Sequence, residues 1–332
     1  MPKINTIVIG TGGFARWKIR EILAAKRTTR LGGFIEPSQE QRKLTHTLIE
    51  EELKLDCPPF FESLQEIIAT YGVPDVAYII SPHKYHIEHI RECLNAGINV
   101  LVEKPMVLSQ KEAKEVIALR DKTGKLVVVG FPGSLSPAMT KAKQMIADGA
   151  IGPVQGVVGI CHQGWKRGTA NTWRQDPVIS GGGFLFDTGS HMINTIVDLI
   201  GQDLAEVHAM VDNCGAPVEI NSTVLGTFAS GIKLSLIAIG DSFDCRGDIR
   251  VIGQDGVIEI GMWGHYLKLF TPKTKGGYID VKYGKPKNTW ENFVDVYSGK
   301  KANPCPPEVG LRFAQLMDMI RESAKKGKPI KA

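Results

Sequence analysis

Over residues 1–125, short apolar runs alternate with stretches whose apolar positions recur at helical spacing. The runs Thr6–Ile9, Arg30–Ile35, Val76–Ile80, Val100–Val102 and Leu126–Val129 predict strands. Between them, Phe14–Ala25, Gln39–Leu53, Ser63–Tyr71, Ile87–Ala96 and Gln110–Thr123 predict helices. Strands separated in this way imply right-handed crossovers and a parallel, doubly wound sheet. Pro132, Gly133 and Pro137 punctuate the exit from that unit. The second half reads differently. A helix over Pro137–Asp148 is followed by strand patterns at Val154–His162, Glu206–Val211, Ser222–Phe228, Lys233–Ile239, Ile249–Ile252, Val257–Met262 and His265–Phe270. Turns such as Ala229-Ser230-Gly231 and Gln254-Asp255-Gly256 predict an antiparallel meander, with one helix over Gly183–Ile200 and a last one from Glu308 to Lys326. The chain is therefore read as α/β with two domains, 1–130 and 131–332, the final helix being free to pack back on the first.

Composition narrows the function classes. A length of 332 residues suits two domains, and 43% apolar with 23% charged residues is ordinary for a soluble globular enzyme. The net charge of +5 is small, and no basic run is interleaved with aromatics, so no nucleic-acid partner is expected. Mild steering of anionic ligands is compatible with the late lysines. The cysteines (Cys57, Cys93, Cys161, Cys214, Cys245, Cys305) are scattered with no C-x-x-C pair, and no His-Glu-x-x-His element supplies metal ligands. Reduced thiols, no metal, no membrane partner and a cytoplasmic setting are the expectations, since no apolar run approaches the roughly 20 residues of a membrane span.

Four segments carry candidate chemistry. Gly10-Thr11-Gly12-Gly13-Phe14-Ala15 follows a predicted strand and opens a helix. In that context G-x-G-x-x-A is a dinucleotide loop: Gly10 for the turn, Gly12 for close approach of the pyrophosphate, Ala15 for helix–strand packing. Glu36 ends the next strand, where an acid suits the ribose hydroxyls of NAD and repels the extra phosphate of NADP. Ser81-Pro82-His83-Lys84-Tyr85-His86 follows the fourth strand and can line the nicotinamide pocket, although His86 reads equally as structural. Glu103-Lys104-Pro105 ends the fifth, placing a lysine beyond a strand's carboxyl end, where open α/β sheets bind ligands. In the second half, Gly181-Gly182-Gly183 precedes Asp187, His191 and Asn194, spaced to share one helix face. The loop before it offers Trp165-Lys166-Arg167 and Trp173-Arg174, aromatic faces and forked donors that suit a sugar or polyol; its cations hint at an anionic or glycoside substrate.

Together, Gly10–Ala15, Ser81-Pro82-x-x-x-His86, Glu103-Lys104-Pro105 and Asp187-x-x-x-His191 behind three glycines resemble the Gfo/Idh/MocA oxidoreductases over essentially the whole chain. The resemblance implies an N-terminal Rossmann domain and a C-terminal α/β domain whose large, mostly antiparallel open sheet mediates homodimers or homotetramers. It implies Lys104, Asp187 and His191 as the catalytic trio, with a cis Lys104–Pro105 peptide. Two departures stand out. Many members carry Asn-x-Arg-x-x-Pro where this chain has Pro132-Gly-Ser134-Leu-Ser-Pro137, and an aspartate where it has Asn194.

The expected activity is hydride transfer between NAD and a secondary hydroxyl of a sugar, sugar derivative or cyclitol. Its cofactor contacts are Gly10 to Ala15, Glu36, Ser81, Pro82, His86, Glu103 and Lys104; its substrate contacts are Lys104, Trp165, Arg167, Trp173, Arg174, Asp187, His191 and Asn194. The alternatives are an NAD-assisted glycosidase or lyase working through transient sugar oxidation, and a non-catalytic NAD-sensing regulator.

Overall fold

Runs too apolar to keep a wet face build the first sheet. In the computed structural model, which describes residues 2–332, these are β1 (Ile4–Ile9), β2 (Thr29–Ile35), β3 (Phe60–Phe61), β4 (Val76–Ile79), β5 (Asn99–Val102) and β6 (Val127–Val129). All pair in parallel, in the order β3-β2-β1-β4-β5-β6. Every residue of β4 and β6 is buried, as a parallel sheet covered on both faces requires. This is the Rossmann order, and its switch point lies between β1 and β4, where successive crossovers reverse direction.

The chain divides into two units: residues up to Gly130 with Asn288–Gly310, and Phe131–Lys287 with Leu311–Ala332. Within the first, the late segment is fastened by polar groups as well as by packing. Asn288 and Glu291 form a reciprocal cap for the helix Thr289–Tyr297. Trp290 is fully buried, stacks on Tyr78 and Phe293, and donates its indole N–H to Thr29 Oγ1 at 2.9 Å. Buried Lys18 reaches Thr289 Oγ1 at 3.0 Å and Glu21 at 3.2 Å. Val129 N–H donates to Cys305 O at 2.8 Å, so the segment also satisfies the β6 edge.

The second unit holds nine strands: β7 (Val154–His162), β8 (Leu204–Asp212), β9 (Asn221–Phe228), β10 (Lys233–Ile239), β11 (Arg246–Gly253), β12 (Val257–Gly261), β13 (Leu267–Phe270), β14 (Ile279–Asp280) and β15 (Ile330–Lys331). Their order is β14-β13-β12-β11-β7-β10-β9-β8-β15, antiparallel throughout except for the β7–β10 pair. The simple meander expected from the sequence is thus corrected: β7 is inserted between β10 and β11, a long-range pairing that local periodicity does not encode. Along β10, Leu234, Leu236 and Ala238 are buried while Lys233 and Ile237 are exposed, the alternation of a sheet covered on one face. The cover is the helix Gly189–Ile200. A Cβ at Gly159 of β7 would lie 2.8 Å from both Met192 Sδ and Ile196 Cδ1, so the missing side chain is what lets this helix settle on the sheet.

Two predicted helices are also corrected. Gln39–Leu53 is α-helical only over Gln39–His46; Thr47–Glu52 widens to a π-helical turn in which Leu53 N–H reaches Leu48 O at 3.0 Å. Gly183–Ile200 is divided at Thr188 into Phe184–Asp187 and Gly189–Ile200, because His191 N–H bonds the Thr188 carbonyl at 3.1 Å and tightens the turn.

If Trp290 anchors the late segment to the first sheet, Trp290→Ala should lower unfolding free energy by about 3–5 kcal/mol, the usual cost of emptying a large aromatic site. Urea titration followed by far-ultraviolet circular dichroism measures it.

Candidate functional site

The glycine-rich turn is built around one carboxylate. Gly10 has φ +90°, and a Cβ there would meet Ser81 N at 2.7 Å, so the turn presses directly on the segment after β4. Thr11 N–H donates to Glu36 Oε2 at 2.7 Å, and Ser38 N–H donates to Glu36 Oε1 at 2.9 Å. Glu36, which is buried, therefore holds the loop after β1 and the turn after β2 together. Arg16 donates to Thr11 O at 2.9 Å, and Arg42 donates to Glu36 O at 2.5 Å while pairing with Glu62 at 2.6 Å. Arg16 also donates to Gln41 Oε1 at 2.7 Å, so both guanidinium groups already hold acceptors around the turn.

A Cβ at Gly12 would meet nothing within 4 Å. The helix Gly13–Ala24 starts there with no side-chain cap and no acid in its first turn. Open space in front of uncapped N–H groups fits a pyrophosphate. Ala15 is buried at the helix–strand contact, and Phe14 lies against Trp17 at the surface.

Beyond β4 and β5 the Ser81–His86 and Glu103–Pro105 segments are tied to each other. His86 is fully buried; its Nε2 faces Ser81 O at 2.8 Å and its Nδ1 faces Pro105 O at 3.1 Å. Burial takes its imidazole down to about 4, against weaker opposition from those carbonyls. His86 acts on the cofactor loop as a bracket between two backbones. Ser81 Oγ lies 3.0 Å from His89 Nδ1, and burial takes His89 to about 4 as well. Pro82 leads into the tight turn His83–Tyr85. Glu103 is buried and accepts the Tyr78 hydroxyl at 2.5 Å; burial and then the Glu103 charge push the Tyr78 phenol well above its ordinary value. Lys104, half-buried, follows, and the Lys104–Pro105 peptide is cis. Tyr78 and His89 carried no signal in the sequence, although the H-x-x-H-x-x-H register of His83, His86 and His89 is visible in it. Among the described residues, no group of His, Cys, Asp or Glu is arranged to hold a metal.

In the second unit the site forms around Asp187. A Cβ at Gly183 would fall 1.9 Å from Glu219 O: the triple glycine admits a neighbouring backbone. Phe184 N–H donates to that oxygen at 2.8 Å, and Phe186 N–H to Glu219 Oε1 at 3.2 Å. The short helix that starts there ends at Asp187, whose buried Oδ2 accepts the Trp165 indole N–H at 2.9 Å and Arg174 Nε at 3.3 Å. Arg174 in turn lies over the Trp173 ring at 4.5 Å. Trp165, Trp173, Arg174 and Asp187 therefore meet. Arg167 turns instead toward Ser242 O at 2.8 Å and Asp241 at 3.6 Å. One turn on, the His191 ring stands edge-to-face between Phe131 and Trp263, each at 6.1 Å. Asn194 donates to Ser134 Oγ at 2.8 Å, so the two departures from the family pattern touch each other.

Residues 4–131 match the family model described as "Oxidoreductase family, NAD-binding Rossmann fold", and residues 139–259 match "GFO/IDH/MocA C-terminal domain". The chain belongs to the Gfo/Idh/MocA oxidoreductase family. It is an NAD-binding member, 25% identical over 261 residues to Oxidoreductase P35 of Formosa agariphila, covering 74% of this chain and 78% of that one. It is 26% identical over 130 residues to the D-glucoside 3-dehydrogenase of Escherichia coli, covering 39% of this chain and 36% of that one. Matches to further curated relatives also span less than two thirds of their length. Its fold is that of the aldose-aldose oxidoreductase from Caulobacter crescentus solved with glycerol, with a TM-score of 0.84 at 23% identity over 100% of both chains. Among the described residues, no helix is long and apolar enough to cross a membrane.

Two outcomes follow for this Gfo/Idh/MocA protein. Because Gly12 faces open space, Gly12→Val should leave stability within about 0.5 kcal/mol of wild type yet weaken NAD binding about tenfold or more, as titration calorimetry would read. His86 and His89 titrate near 4 when folded and near the ordinary 6.5 when unfolded. As pH falls from about 6.5 to about 4 the unfolded chain binds protons first, so stability, full above that window, declines by up to roughly 3 kcal/mol per histidine. Urea titrations across the window should show it, with His89→Gln halving the decline.

Proposed function

We propose that this oxidoreductase moves a hydride between a secondary hydroxyl of a sugar, sugar derivative or cyclitol and NAD. The observation that carries the reading is Asp187: a buried carboxylate, oriented by an indole and a guanidinium, one helical turn before a histidine set between aromatic rings. The kinship with a glucoside dehydrogenase supports the substrate class.

Gly10 to Ala15 hold the pyrophosphate and Glu36 the ribose, with Ser81 and Glu103 shaping the nicotinamide side. Bound NAD supplies the hydride acceptor; the protein aligns the donor carbon with it. His191 accepts the hydroxyl proton as the general base. Lys104 hydrogen-bonds the same oxygen and offsets the negative charge that develops on it. Asp187, held by the buried Trp165, orients the substrate, and Trp173 offers a face to the ring. The same reading has the chain working in the cytoplasm, for which its six free cysteines speak. It also has copies associating as a homodimer or homotetramer through the open face of the second sheet, where Ile160, Leu225 and Ile237 are exposed.

On a substrate identified by a nicotinamide-absorbance screen of inositols, aldoses and glycosides, His191→Ala should lower kcat about 10²–10⁴-fold. Lys104→Met should lower it about a hundredfold or more. His191→Ala should bind NAD as wild type does. Unchanged turnover in both would sink the assignment.

A further inference from the structure

The loop from Trp165 to Trp173 and Arg174 is rich in cations, yet each is already matched. Arg174 is held by Asp187 at 3.3 Å. Asp241 takes both Lys166 at 3.5 Å and Arg167 at 3.6 Å. Nearby, Arg246 faces Asp244 at 3.3 Å. Lys166 and Arg167 are thus set against Asp241, Arg246 against Asp244, and Arg174 against Asp187. Where the family pattern has an arginine after the sixth strand and an aspartate three residues after the histidine, the chain has Ser134 and Asn194. Both are buried, and they are joined to each other at 2.8 Å. The contact between them carries no formal charge.

An anionic ligand needs a cation it does not have to share. A phosphate or carboxylate leaving water must be given an opposite charge, or its desolvation goes uncompensated. Here an incoming anion would compete with Asp241 and Asp187 for their partners and bring its own charge beside theirs. A neutral polyol meets no such penalty, because guanidinium and carboxylate edges that are already paired still exchange hydrogen bonds with hydroxyls. We propose that the substrate is an electroneutral sugar or cyclitol rather than a phosphorylated or uronic one, with Asp241 and the Ser134–Asn194 pair setting that preference. The inference rests on the reading of this unit as the one that recognises a sugar or polyol, in which Lys104 is committed to the reacting oxygen.

Ligand binding to the NAD-saturated protein, followed by tryptophan fluorescence, tests it apart from hydride chemistry. Glucose is compared with glucuronate, and inositol with an inositol monophosphate. The neutral members should bind about tenfold or more tighter than their charged twins, with affinities that do not change between ~20 and ~300 mM salt. Asp241→Asn, which releases Lys166 and Arg167, should narrow the gap about threefold by strengthening the anions, while Asp241→Glu should preserve it. Tighter binding of the anions, binding of neither neutral ligand, or a gap untouched by Asp241→Asn would overturn the proposal. Neutral ligands that bind selectively but pass no hydride would uphold it and contradict the reaction assigned above.

Discussion

A carboxylate taken out of water has to be given donors, and that requirement shapes both units of this protein. Glu36 is satisfied by the backbone N–H groups of Thr11 and Ser38, and so welds the dinucleotide loop to the neighbouring strand end. Glu103 is satisfied by Tyr78, and Glu21 by Lys18, which also reaches the helix that returns from residue 288. In the second unit Asp187 is satisfied by Trp165 and Arg174, which draws a long loop onto the helix that carries His191. Glu36 and Asp187 in this way fix loops that the hydrophobic core alone would leave loose.

The consequence for function is division of labour within each unit. Backbone groups at the end of the parallel sheet are arranged for a cofactor: an open glycine, an uncapped helix start and a buried acid. The second unit gathers an indole donor, a guanidinium already balanced by a carboxylate, and an imidazole between rings, the groups that the proposed function gives to the ligand. The family relationship joins these two halves as one oxidoreductase. The particular balance of charge in the second half is this chain's own.

Much of the first sheet was legible in the sequence because parallel strands buried on both faces are continuous apolar runs, as Val127-Val128-Val129 is. The glycine loop was legible for a similar reason: its residues act through backbone geometry within six positions. What escaped notice depends on partners far apart in the chain. A two-residue strand such as Phe60–Phe61 has no period to detect. The insertion of β7 between β10 and β11 is set by pairing, not by pattern. Tyr78 read as one more apolar strand residue, because nothing local reveals that its hydroxyl meets Glu103. Ser134 and Asn194 were each visible as departures from the family pattern, but only the fold shows that they touch each other.

The central claim is that a carbon-bound hydrogen passes directly to bound NAD. Incubating the NAD-saturated protein with a polyol or sugar deuterated at its secondary carbons, and taking the mass of the reduced nucleotide, tests it most directly. The account predicts one deuterium in the nicotinamide ring for each NADH formed. Reduced nucleotide free of deuterium, or product formed while the label washes into solvent, would contradict it.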